Sequence, residues 1–312
     1  MEKTFAYQMA DDRQYPFGYA ANPEKFSIFA NAITMEEILP AAGLDWTMRE
    51  GVLYDDLGVV ETHKTIIRED TNTRIGVVGR GYYVTQHQEE LGIFPDLMGE
   101  KATFAGGGCM KGGQKVWLQA HVSEKFKILN DEMESFLVLV DTHDGSGSLV
   151  VYLTDWRIWC KNRINPTMKQ AKHKFFLRHT RNIMSRLDEI KRIYFSMDQY
   201  HVELAEYAEE MFRKKVSDAE VKRMLNSIFP VDEKASDLVK RKAEEKKEAF
   251  YICYAAPDIA KFQGTAWGVI QAASDLVCHS LPHKATKEWN ENNWDRILSG
   301  HPVFDKVVNY LA

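Results

Sequence analysis

Two histidines and an aspartate pose the chemical question in this 312-residue chain: His143 and Asp144 sit together in the stretch THDGSGS, and His179 follows downstream. Imidazole and carboxylate groups bind metals and exchange protons, so the three could serve a hydrolase or nuclease as a metal or acid–base site. Their spacing does not favour it. Zinc ligands usually come as pairs a few residues apart, and an aspartate before Gly145 is what a tight turn uses. His279, His283 and His301 have no visible nucleophile partner, and G-x-S-x-G, H-E-x-x-H and G-x-G-x-x-G between strand and helix do not occur. The run AGGGCMKGGQ lacks the order G-x-x-x-x-G-K-[ST], so Gly106 to Gly113 reads as a wide hairpin turn and not as a phosphate cradle. The residues alone therefore assign no catalytic set, no metal and no cofactor.

A second set of residues points to binding. Arg157, Lys161, Arg163, Lys169, Lys172, Lys174, Arg178, Arg181 and Arg186 are nine cations in a window, 157–187, with no Asp or Glu. The chain's formal net charge is -5, which leaves -14 on the rest. Trp156, Trp159, Phe175 and Phe176 lie among the cations. Charges that track phosphates and flat rings that stack on bases are what single-stranded nucleic acid requires. The competing reading is that the cations pair with the acidic helices further on and that the rings are core residues on a buried sheet face. Cations sharing one exposed face would favour nucleic acid; three polar side chains converging on His143 would favour an enzyme.

The elements that must position these residues begin with a hairpin. Two apolar runs, Phe136 to Val140 and Leu149 to Leu153, flank THDGSGS, whose Asp144-Gly145 and Gly147-Ser148 supply the reversal. Upstream, Thr34 with Glu37 forms a capping box that opens a short helix ended by Pro40 or Gly43. Trp46 to Tyr54 suits a strand, and HKTIIRED and TRIGVVGRGYYVTQ a strand pair joined near residues 70–73; 88–98 reads as a helix. HKFFLRH supplies one last strand. Thr180 then predicts the start of a long helix to about Lys215, with Ile183, Leu187, Ile190 and Tyr194 on one face. Helices follow over 217–228, 234–254, 264–279 and 289–311. The expected fold is α+β: a mainly antiparallel sheet with hairpins in the N-terminal half and a helical C-terminal half. In domain terms this gives an irregular arm (1–33), a sheet domain (34–180) and a helical region (181–312).

Composition narrows the class. At 45% hydrophobic and 27% charged residues, the chain reads as an ordinary soluble protein. The first residues hold no apolar h-region and no run approaches a membrane span, so neither a signal peptide nor a membrane partner is expected. Cys109, Cys160, Cys253 and Cys278 are dispersed, which suits a reducing cytoplasm.

AAGLDW (41–46), RIGVVGRGYYVTQ (74–86), HDGSGS (143–148), RIWCKN (157–162), RHT-x-N (178–182) and GTAWGVIQAASDLVCH (264–279) resemble, in this order, the phage/plasmid-like family called domain of unknown function 932. The resemblance implies a mobile element in a bacterial cytoplasm and carries over no catalytic residues. It also implies a fainter similarity to Rad-type single-strand annealing proteins, which assemble along DNA. The expectation is a non-enzymatic protein that binds single-stranded DNA through the nine cations with Trp156 or Trp159 stacking, able to anneal complementary strands and to self-associate. The alternative is occlusion of a host defence or replication protein. A hydrolase or nuclease using His143, Asp144 and His179 comes third.

Overall fold

The computed structural model describes residues 7–9, 34–92, 103–121, 126–129, 131–157, 163–164, 174–187, 197–282, 286 and 288–312. Of the arm, β1 (Tyr7–Met9) lies antiparallel against β14 (Ser280–Pro282). Helix α1 (Met35–Ala42) opens on the expected capping box, with Thr34 N–H donating to Glu37 Oε2 at 3.2 Å, and ends at Gly43 in the left-handed region. A small antiparallel sheet follows, from β2 (Met48–Gly51), β5 (His63–Arg68) and β6 (Thr73–Gly79), with the ribbon β3 (Tyr54–Asp55) and β4 (Gly58–Val59) between β2 and β5. Helix α2 is described over His87–Leu91.

The main sheet is antiparallel. Its path runs from β7 (Thr103–Met110) through β8 (Lys115–His121), β10 (Asp131–Thr142) and β11 (Leu149–Arg157) to β12 (Arg163–Ile164). β9 (Phe126–Ile128) also pairs β10, and β13 (Lys174–Leu177) pairs β11. β10 and β11 form the expected hairpin in register from Val140↔Val150 to Met133↔Arg157. Leu137, Leu139, Val151 and Leu153 are buried, each burial contributing about 1.5–3 kcal/mol. The glycine-rich run corrects the expected wide turn. Gly106, Gly107 and Gly108 lie inside β7, and the reversal is confined to the single 3-10 turn Lys111–Gly113. The reason is packing: a Cβ on Gly107 would stand 2.7 Å from Leu118 Cδ1 and 3.2 Å from the Ala42 Cβ, so the missing side chain lets α1 approach the strand.

The C-terminal half is helical. The expected helix from Thr180 to Lys215 is described in two pieces, α3 (Ile183–Leu187) and α4 (Met197–Arg213); Ile190 and Tyr194 lie outside the described residues. Next come α5 (Asp218–Ile228), whose N-cap Ser217 accepts from Glu220 N–H, and α6 (Asp237–Tyr254). All fourteen residues of α7 (Ala266–His279) are buried, the signature of a helix covered on every side. It packs against α4, α6 and α9 (Pro302–Leu311), while α8 (Trp289–Ser299) sets Trp294 on Trp117 of β8, ring centroids 5.1 Å apart. The fold is α+β, sheets first and helices after.

Candidate functional site: a buried histidine–carboxylate cluster under a basic edge

A strand alternates its side chains, so Ser135, Leu137, Leu139 and Asp141 of β10 share one face of the main sheet. Asp141 ends that row and His143 follows it into the turn. The hairpin tip lies against β6: a Cβ on Gly76 would stand 2.4 Å from Asp144 Cα, and one on Gly145 3.0 Å from Val78 Cγ1. The His143 N–H donates to Gln114 O at 2.7 Å, and Gln114 Nε2 to Ile75 O at 3.1 Å, which ties both sheets to the turn. From the other side α2 presents His87 and Glu90, three residues apart and hence neighbours on one helical face.

Five titratable side chains meet here. His87, Glu90, Asp141 and His143 are at most 1% exposed and His179 6%. His87 Nδ1 lies 3.2 Å from Glu90 Oε1, and His143 Nε2 3.8 Å from the same oxygen. His143 Nδ1 faces Asp141 Oδ2 at 3.6 Å, while His179 Nε2 lies 2.8 Å from Asp141 Oδ1. Thr85 Oγ1 donates to Glu90 Oε2 at 2.8 Å and the Thr142 N–H to Asp141 Oδ1 at 2.7 Å. Tyr82 stacks on His179 at 4.3 Å and donates to Thr142 O; Trp46 meets His87 edge-on at 4.3 Å.

Burial drives the electrostatics. It pushes Glu90 well above the usual carboxylate range, and the neighbouring Asp141 adds to the shift. Burial pushes Asp141 the same way, but His143 and the hydrogen bond and charge of His179 outweigh it and hold Asp141 low. The two carboxyl groups are thus pushed apart, Asp141 toward its ionised form and Glu90 toward its protonated form. Burial lowers His87 to about 3, with the His143 ring adding to it, and lowers His143 against the pull of Asp141. Burial, then Asp141 and Glu90, raise the Tyr82 hydroxyl.

The sequence candidates separate. His143 and His179 come together, whereas Asp144 does not join them. Its Oδ1 accepts from Ser146 N–H at 2.8 Å, and the residue serves its own turn. The carboxylate that completes the pair is Asp141, two residues earlier. Of the cations, Arg178, Arg181 and Arg186 are exposed, while the Lys174 ammonium sits 4.7 Å from the Phe176 ring centroid. Lys161, Lys169, Lys172 and Trp159 lie outside the described residues, as do the side chains of Arg157, Arg163 and Trp156.

Along 175–180 exposure alternates. Phe176, Arg178 and Thr180 face outward while Leu177 and His179 turn inward. Tyr83 N–H donates to His179 O at 3.0 Å and fixes this edge beside Tyr82 and Tyr83. Those tyrosines line a cleft of about 690 Å³ with Lys64, Arg80, Arg181, Glu50 and Glu61.

A second polar group occupies the far end of the same sheet face. Ser135 Oγ donates to Asp155 Oδ1 and lies 2.6 Å from His201 Nε2, while His201 and Asp155 are 3.9 Å apart. In a nucleophilic triad the imidazole bridges hydroxyl and carboxylate. Here the serine bridges, so its proton is engaged by Asp155 and the arrangement is not that of an activated nucleophile.

A family model described as Domain of unknown function (DUF932) matches residues 74–298. The chain belongs to this family. The match takes in the whole buried cluster from Tyr82 to His179 and helix α7, and leaves out α1 and the AAGLDW segment. DUF932 as a family description carries no activity, and no curated protein and no solved structure matches the chain. Among the described residues no helix is long and apolar enough to cross a membrane.

Proposed function

We propose that the protein binds single-stranded nucleic acid along the edge formed by β13 and the residues after it, in the service of a phage or plasmid. The observation that carries this reading is the alternation at 176–180, which turns an aromatic ring, Phe176 at 57% exposed, and Arg178 outward, with exposed Arg181 following in the turn after it. Neither arginine has an ion pair among the described residues. A ring with a lysine ammonium beside it and free guanidinium groups next in line can stack a base while neutralising its phosphates. The adjoining cleft continues the surface through Arg80, Tyr82 and Tyr83. Lys64 adds little there because it is paired with Glu50. Annealing of complementary strands would need no further chemistry, only a neutralised backbone with bases exposed.

The buried cluster does not make this an enzyme. Convergence around His143 satisfies the geometric half of that reading, but groups so completely buried offer a substrate no reacting atom. The test is a fluorescence titration of labelled oligonucleotides at two salt concentrations. With Arg80, Arg178 and Arg181 meeting two or three phosphates, the log–log salt slope should be about -1.4 to -2.1. Arg178→Glu with Arg181→Glu should weaken binding to all sequences alike and flatten the slope. Phe176→Ala should lose about 1–3 kcal/mol and leave the slope unchanged. Absence of binding to any nucleic acid at low salt would refute the proposal and leave occlusion of a protein partner in its place.

A further inference from the structure

The buried cluster has a feature that hydrogen bonding inside the protein does not account for. His143 Nε2 is fully buried and without a hydrogen-bond partner, although it faces the Glu90 carboxyl group 3.8 Å away. One nitrogen from His87, one from His143 and one oxygen from Glu90 lie within 4.8 Å of one another. A divalent ion with ligands at about 2.0–2.2 Å holds its donors roughly 3.4 Å apart in a tetrahedron. Glu90 Oε1 lies 3.2 Å from His87 Nδ1 and 3.8 Å from His143 Nε2, distances that bracket that spacing, so His87 would bind through Nδ1. Behind the donors stands the support a metal-bound imidazole normally has: the Nδ1 of His143 faces Asp141, which His179 and the Thr142 N–H orient in turn. Thr85 does the same for the second oxygen of Glu90.

We propose that His87, Glu90 and His143 bind one divalent transition-metal ion, of which Zn²⁺ suits the two-nitrogen, one-carboxylate donor set. The ion ties helix α2 to the tip of the central hairpin, two segments that meet beneath the cleft wall at Tyr82. It stands among buried groups and is structural. The site is independent of the nucleic-acid reading, since its donors face the core.

The test uses the full chain, stripped with a chelator and reconstituted with Zn²⁺ or Co²⁺. One Zn²⁺ per chain should remain after gel filtration, and the melting temperature of the loaded protein should fall by several degrees on stripping. Co²⁺ loading should give visible d–d absorption of a nitrogen-coordinated site, a signal that mere structural weakening does not produce. His87→Gln should abolish the Co²⁺ bands, and His63→Gln, an exposed histidine elsewhere, should retain them. Because His143→Gln can fail to fold by losing contacts in the turn, Glu90→Gln serves as the second ligand variant. A folded wild-type chain with substoichiometric metal and no Co²⁺ bands, or bands that persist in His87→Gln, would overturn the proposal.

Discussion

Asp155 gives the sharpest handle on how this fold depends on pH. It is fully buried on β11, and burial pushes its carboxyl up to about 7 against the opposing hydrogen bonds of Ser135 and Tyr200. The folded protein therefore holds Asp155 protonated at pH values where the unfolded chain, at the ordinary 3.8, has released the proton. A folded pKa above the unfolded one contributes stability that is complete below about pH 4 and is lost as pH rises to about 7. The separation of roughly three pH units, at 1.36 kcal/mol each, amounts to about 4 kcal/mol lost between pH 4 and pH 7, with no further change above. Asp155→Asn removes the titration while keeping an oxygen for Ser135. Urea denaturation of both proteins at half-unit steps gives the difference in unfolding free energy, in which groups common to both cancel. The advantage of wild type over the variant should shrink by about 4 kcal/mol from pH 4 to pH 7 and then stay level. His201, 3.9 Å away, is the group that would defeat this by holding Asp155 ionised as an imidazolium partner. A difference independent of pH, or one that grows as pH rises, would refute the argument; repeating it in His201→Gln would show whether the imidazole is the cause.

The remaining predictions concern packing. Gly145→Val should cost about 1–3 kcal/mol in denaturant titration, because φ is +83° and the new side chain meets Val78, whereas Asp144→Asn preserves the turn and should stay within about 0.5 kcal/mol. Gly76→Ala should cost about 1–3 kcal/mol, since the added Cβ meets the Asp144 backbone and not a flexible side chain that can move away. Ile183→Ala, at a fully buried position on α3, should lower stability by about 2–5 kcal/mol; a melting temperature like that of wild type would mean that this short helix does not pack as described.

How much of this was legible beforehand depended on whether a residue's role is local. The hairpin is visible because apolar runs bracket Asp-Gly, and the starts of α1 and α5 because Thr34–Glu37 and Ser217–Glu220 satisfy their own caps. The glycines of β7 mislead for the converse reason. Their smallness answers to α1, more than sixty residues away, and a local reading can only assign them to a turn. Helix α2 suffers likewise, since His87 and Glu90 read as the polar side of a short helix until the hairpin tip is placed against it. Asp141 hides inside an apolar run, where the signal was its very presence: a carboxylate flush with buried valines and leucines has to be met by something.

The last step concerns His179 and its neighbours. HKFFLRH is readable as a strand, and a period of two already sets Leu177 and His179 against Phe176 and Arg178. What sequence could not say is which set faces in, because an imidazole and a phenyl ring are both plausible on either side. The buried Asp141 decides it: His179 goes inward to hydrogen-bond the carboxyl group, at 2.8 Å, and Phe176 and Arg178 are thereby turned out. The buried cluster and the proposed binding edge are thus opposite faces of one segment, pinned by the Tyr83–His179 backbone hydrogen bond. It follows that the cluster influences the edge through position alone. Replacing His179 should disturb the placement of Arg178 and Arg181 together, whereas replacing either arginine leaves the cluster intact.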